Sequence, residues 1–190
     1  MHALVPLLFL LAQPFWDLRA PEQWTIEEIN QIRTSSPWAQ GVGRIAPTTV
    51  FLATAQPIEL AEAELRLRLK KNPHPLPEPD PDYVDYLRDH REEALVLGVD
   101  YPRLDTFGKP GEEKLMEEET AMIIGKKEYR ILGYFPPTPS DPVLRLIFPR
   151  AVKPSDKQVV FRLYLPGFSF PEREAVFVVR DLIYQGKLEM

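Results

Sequence analysis

The chain of 190 residues contains no cysteine. That excludes disulfides, thiol catalysis and cysteine metal sites together. Histidine is scarce as well: His2, His74 and His90 are the only three. No apolar run approaches the roughly 20 residues that a membrane-spanning helix needs. There is no basic excess to attract nucleic acid, since the net charge is −5. No G-x-S-x-G elbow, H-E-x-x-H pair or Gly-Lys-Ser/Thr loop occurs. GVGRIA, from Gly41, lacks the third glycine of a dinucleotide loop, and its glycines read as a flexible exit from the preceding corner.

The apolar fraction is 44% and the aromatic fraction 11%, enough to build a core. Proline is abundant instead, with 21 residues, about twice the usual share. Proline is excluded from helix interiors and central strands, so much of the chain must be turns, edges and extended loops.

The first stretch, MHALVPLLFLLAQP, carries no acidic or strongly basic residue, and Ala3 to Ala12 is almost wholly apolar. It is half the length of a bilayer span and matches the apolar core of a signal peptide, with Ala12 at the cleavage position. The match lacks a positive leader, and Leu10 stands where a small residue is preferred. The expectation is a processed segment, 1–12, and a periplasmic or secreted domain, 13–190, with no transmembrane span after processing. If 1–12 is retained, it is a core element of a cytoplasmic protein.

Thr25 to Thr34 has the strongest helix start. Thr25 and Glu28 have capping-box spacing, and Trp24 and Ile29 have that of a hydrophobic staple. Ile26, Ile29 and Ile32 are expected along one face. Pro37 ends the helix and Trp38 returns the chain to the core. Ser35 and Ser36 therefore read as turn residues rather than nucleophiles.

TTVFLATA (48–55) predicts a strand, and Pro57 opens a helix through residue 71. That helix competes with a strand period in Leu65, Leu67 and Leu69, but its Ala, Glu and Leu content decides for helix. NPHPLPEPDP, 72–81, holds five prolines and reads as an extended connector. Further helices are expected at 83–93 and 112–119, and a buried strand at 94–101. KKEYRILGYF, VLRLIFPR, KQVVFRLYLPG, REAVFVVR and LIYQGKLE then follow as strands.

The predicted class is α+β. An antiparallel sheet of about five to seven strands, mainly from the second half, packs with two to four helices, mainly from the first.

Residues 80–119 hold thirteen acidic and five basic side chains, a net of −8, so the remainder is about +3. A solvated acidic face explains this. Asp80, Asp82 and Asp85 lack the glycine and late glutamate of an EF-hand loop. His90 and Glu93 share a helix face but have no second ligand pair. No catalytic, cofactor or metal residue is nominated. The structural candidates are Trp24, Thr25, Glu28, Ile29, Pro37 and Trp38.

Two segments carry a resemblance: Glu27, Glu28, Ile29, Ser36, Pro37, Trp38 and Ala39 near the start, and Ile183, Gly186, Lys187, Leu188 and Glu189 at the end. Together they cover about a sixth of the chain and resemble a family of uncharacterised, predicted-exported bacterial proteins. The resemblance implies export and carries no catalytic residue. The function expected is a non-enzymatic exported domain that binds or scaffolds an unknown protein or envelope component through edge strands or the acidic segment. The competing expectation is a hydrolase with a carboxylate pair in a groove of the sheet.

Overall fold

The computed structural model describes residues 13–70, 75, 78–101, 107, 109 and 111–190. The segment 1–12, His74 and much of the connector 72–81 lie outside the described residues.

After a short helix α1 (Phe15–Leu18) and a 3-10 turn, the capping box forms at the start of α2 (Ile26–Thr34). The Thr25 amide donates to Glu28 Oε2 at 2.8 Å, and the Glu28 amide donates to Thr25 Oγ1 at 3.2 Å. Trp24, Ile29 and Ile32 are buried, but Ile26 is exposed. Three-residue steps turn only about 300° each, so Ile26 sits about 120° round the helix from Ile32 and leaves the core stripe.

The corner after α2 leads into β1 (Ala39–Val42), which pairs antiparallel with β2 (Thr48–Leu52). Of the stretch from Gly41, expected as a flexible exit, Gly41 and Val42 belong to the strand, held by cross-strand pairing their own composition does not announce, while Gly43 lies in the turn beyond it at a φ of +92°. α3 (Gln56–Leu69) settles the competing periods as a helix. Its buried residues Ile58, Ala61 and Leu65 follow three- and four-residue steps, while Leu67 is exposed. α4 (Pro81–His90), β3 (Ala94–Asp100) and α5 (Glu112–Glu119) follow. Then come β4 (Ala121–Ile124), β5 (Lys127–Arg130), β6 (Gly133–Phe135), β7 (Val143–Pro149), β8 (Gln158–Tyr164) and β9 (Glu172–Val178). A 3-10 turn and a hairpin, β10 (Ile183–Tyr184) with β11 (Lys187–Leu188), come last.

The class is α+β, with all strand pairs antiparallel. The strands divide into a five-stranded sheet in the order β1-β2-β3-β7-β6, a four-stranded sheet in the order β5-β4-β8-β9, and the hairpin. The described residues therefore hold more strands, in more than one sheet, than the single sheet expected, and five α-helices. KKEYRILGYF is the reason for part of the difference. It splits at Ile131-Leu132, sending β5 to one sheet and β6 to the other.

The sheets pack face to face. The register sets Leu95, Leu97 and Val99 of β3 beside Phe148, Leu146 and Leu144 of β7 on the inner face. Phe148 meets Phe161 of β8 edge-on at 5.2 Å, and Phe161 meets Phe177 of β9 at 5.8 Å. β8 and β9 alternate buried with exposed residues, as a half-covered sheet should. β3 and β7 are buried on both faces, because α3 and α4 cover the outer face of the larger sheet. This explains their near-continuous apolar runs. No helix among the described residues is long and apolar enough to cross a membrane.

Candidate functional site

Between α3 and α4, above the outer face of the larger sheet, lies a cleft of about 330 Å³. Phe51 and Ala53 from the β2 end and Arg145 of β7 form its floor. Glu59, Glu62 and Arg66 of α3 line one wall. Tyr83, Val84, Leu87 and Arg88 of α4, with Arg91 just beyond it, line the other. Gly98 makes the floor possible: a Cβ there would overlap the Phe51 ring.

Arg145 is buried under Tyr83, its guanidinium 4.3 Å from the ring centroid. Nη1 donates to Asp141 Oδ2 at 2.6 Å and Nη2 to Oδ1 at 3.2 Å. Asp141 Oδ2 also accepts the Asp80 amide at 2.8 Å. Asp80 in turn caps α4, accepting from the Asp82 amide at 2.9 Å. One buried carboxylate thus fixes both the arginine in the floor and the start of the helix in the wall. A buried ion pair of this kind is weak evidence of stability, but removing either partner strands the other charge.

Across the mouth, Arg91 holds Glu59 with two hydrogen bonds, Nη1 to Oε2 at 3.1 Å and Nη2 to Oε1. Burial pushes the Glu59 carboxyl up from its ordinary value, and the Arg91 bonds oppose that. The same bonds push Arg91 up. The two directions pull the proton differently. The bidentate contact decides for the ion pair, since a protonated carboxyl would turn an O–H toward a guanidinium that has only donors. Glu62 accepts from Arg66 at 3.0 Å and faces Arg33 at 3.9 Å, and Arg33 Nε is buried with no hydrogen-bond acceptor among the described residues. Burial pushes Asp100 up, opposed by Arg33 and Thr49. Burial likewise raises the Tyr83 hydroxyl, which stays protonated.

The lining presents four arginines and two glutamates around aromatic faces, and Asp141 and Asp85, outside the lining, pair with two of the arginines. An entering group meets guanidinium edges and the Phe51 and Tyr83 rings. Guanidinium edges suit a planar or anionic group that carries hydrogen-bond acceptors.

The residues singled out in the sequence lie elsewhere. Trp38 is fully buried, donates from Nε1 to the Glu189 carbonyl at 3.1 Å, and stands edge-on to Trp16 and Tyr184. Ser36 Oγ donates to the Ile32 carbonyl at 2.7 Å and accepts from the Trp38 amide at 3.2 Å, so its hydroxyl is spent on the corner around Pro37. His90 is exposed and lies against Tyr86 at 4.6 Å. Asp85 pairs with Arg88 at 2.6 Å. Among the described residues no group of three or more acidic or histidine side chains is placed to hold a metal ion. No local signal pointed to the cleft. In VLRLIFPR the alternation of Leu144, Leu146 and Phe148 would place Arg145 in solvent, and only the helices above it bury it. No family model, curated protein or solved structure matches the chain.

Proposed function

We propose that this chain is a non-enzymatic binding domain of the bacterial envelope that takes an anionic ligand into the cleft between α3 and α4. The single observation behind this reading is the arginine-rich, aromatic lining of that cleft. Three of its arginines are oriented by a neighbour, Arg145 by Asp141, Arg91 by Glu59 and Arg66 by Glu62, while Arg88 meets Asp85 in an exposed pair. Pre-ordered side chains lower the entropic cost of binding. The envelope location rests on the apolar run at Ala3–Ala12 and on the family resemblance.

A thermal-shift titration with inorganic phosphate, citrate and benzoate tests the reading. At least one anion should give saturable stabilisation, lost in Arg91→Gln. Stabilisation by spermine with none by any of the three anions would overturn it.

A second reading, a hydrolase acting through Glu59 and Glu62, is favoured by one observation, the burial that raises Glu59 in a concave site. The Arg91 contact at both Glu59 oxygens opposes it, because an acid or base must release its proton readily. Hydrolysis of p-nitrophenyl esters or glycosides that disappears in Glu59→Gln would establish the second reading over the first.

A further inference from the structure

The far end of the sandwich holds a second cation with a different environment. β9 carries Arg173, Ala175 and Phe177 on its inward face, with Arg173 opposite Leu163 of β8. Arg173 is only 8% exposed. Its Nη1 donates to the Glu172 carbonyl at 2.8 Å, and its guanidinium lies 5.6 Å over the Phe168 ring. Nε is buried without an acceptor. Among the described residues no acidic side chain forms an ion pair with it, although Glu172 and Glu174 flank it on the exposed face of the strand. Arg145, the other buried arginine among the described residues, has a bidentate aspartate. Burying a cation with no counter-charge is costly, and folded proteins ordinarily pair it.

The surroundings are shaped around this charge. The turn between β1 and β2 lays Gly43 on the guanidinium; its φ of +92° and a Cβ that would overlap Arg173 both require glycine there. Beyond it, Ile45 and Phe170 are 63% and 56% exposed. Two adjoining depressions, of about 280 and 40 Å³, both include Ile45, Phe170 and Arg173. A cation without an ionic partner among the described residues thus lies at the base of a depression whose rim joins Ile45 and Phe170 with Arg44, Glu172 and Glu174.

We propose that Arg173 anchors a binding site for a monocarboxylate bearing an apolar substituent. The carboxylate supplies a counter-charge that no described residue provides, in a charge-assisted contact with the guanidinium. The substituent covers Ile45 and Phe170. At the mouth Glu172 and Glu174 outnumber Arg44, so each added negative charge on the ligand meets more repulsion than the single carboxylate that reaches Arg173. The site shares no residue with the α3–α4 cleft, so each stands or falls alone. A free organic acid and the carboxyl terminus of a peptide offer the same chemistry.

The experiment is a titration of the ¹⁵N-labelled protein at neutral pH, following the Gly43, Ile45 and Phe170 amides. The probes are 3-phenylpropionate, its neutral amide, and Gly-Gly-Phe with a free or amidated terminus. The two carboxylates should move these amides saturably, and the two amides should not. Arg173→Gln should weaken the response at least about tenfold, while Arg91→Gln leaves it intact. Tighter binding of the free-terminus peptide than of 3-phenylpropionate assigns a chain terminus; the reverse order assigns a small acid. No saturable movement up to roughly 10 mM, a weakness beyond any specific site, overturns the proposal. Equal responses to acid and amide, or a response that persists in Arg173→Gln, overturn it too. If Arg173→Gln does not fold, the acid-against-amide comparison on the parent protein still decides.

Discussion

Replacing Trp38 with alanine should remove a large share of the stability of this fold. The indole is fully buried, so the change leaves a cavity about the size of the ring. Large-to-small changes of this kind cost about 3 to 5 kcal/mol. Two features place Trp38 at the upper end. It stands edge-on to Trp16 at 5.7 Å and to Tyr184 at 6.2 Å, pairs that contribute about 0.5 to 1.5 kcal/mol beyond burial. Its Nε1–H also bonds the Glu189 carbonyl, joining positions 151 residues apart. Domains of this kind are stable by about 5 to 15 kcal/mol, so about 4 to 5 kcal/mol is a substantial fraction. The assay is urea unfolding, followed by the fluorescence of Trp16 and Trp24 and by far-ultraviolet circular dichroism. Trp38→Phe keeps most of the packing and loses the donor, so it should cost only about 1 to 2 kcal/mol. A cost below about 1 kcal/mol for Trp38→Ala would refute the anchoring role. Equal costs for the two variants would refute the division between packing and hydrogen bond.

Gly98→Ala should destabilise by about 1 to 3 kcal/mol, because the new methyl overlaps the Phe51 ring in the floor of the cleft; combining it with Phe51→Leu should recover part of the loss in the same unfolding assay. The carboxyl of Glu28 is held below its ordinary value of 4.5, first by the Thr25 amide and then by Arg19. A lowered carboxylate contributes stability above its unfolded value and loses it as the pH falls through the folded one. Thermal unfolding from pH 6 down to pH 2 should therefore show a shallower acid loss in Glu28→Gln than in the parent, and identical acid limbs would count against the capping box as its source.

The local part of this fold is legible in the amino-acid sequence. Thr25 and Glu28 cap a helix because side chains three residues apart can reach each other's amides. The acidic helix Glu112–Glu119 and the strands at 94–100, 143–149 and 158–164 likewise follow from residues within a few positions of one another. Legibility fails where a partner far along the chain decides. Gly41 becomes a strand residue through Thr49, and one run, 126–135, serves two sheets because β4 claims its first half and β7 its second. Both candidate sites belong to this second kind. Arg145 and Arg173 occupy strand positions that look alike in composition, yet Asp141 and α4 neutralise and cover one, while the Gly43 turn covers the other and supplies no acid. A side chain's period along its own strand says which way it points. Whether a charge pointing there is paired, buried or open to a ligand depends on what packs above it, and in this chain those covering elements come from about 60 to 130 residues away.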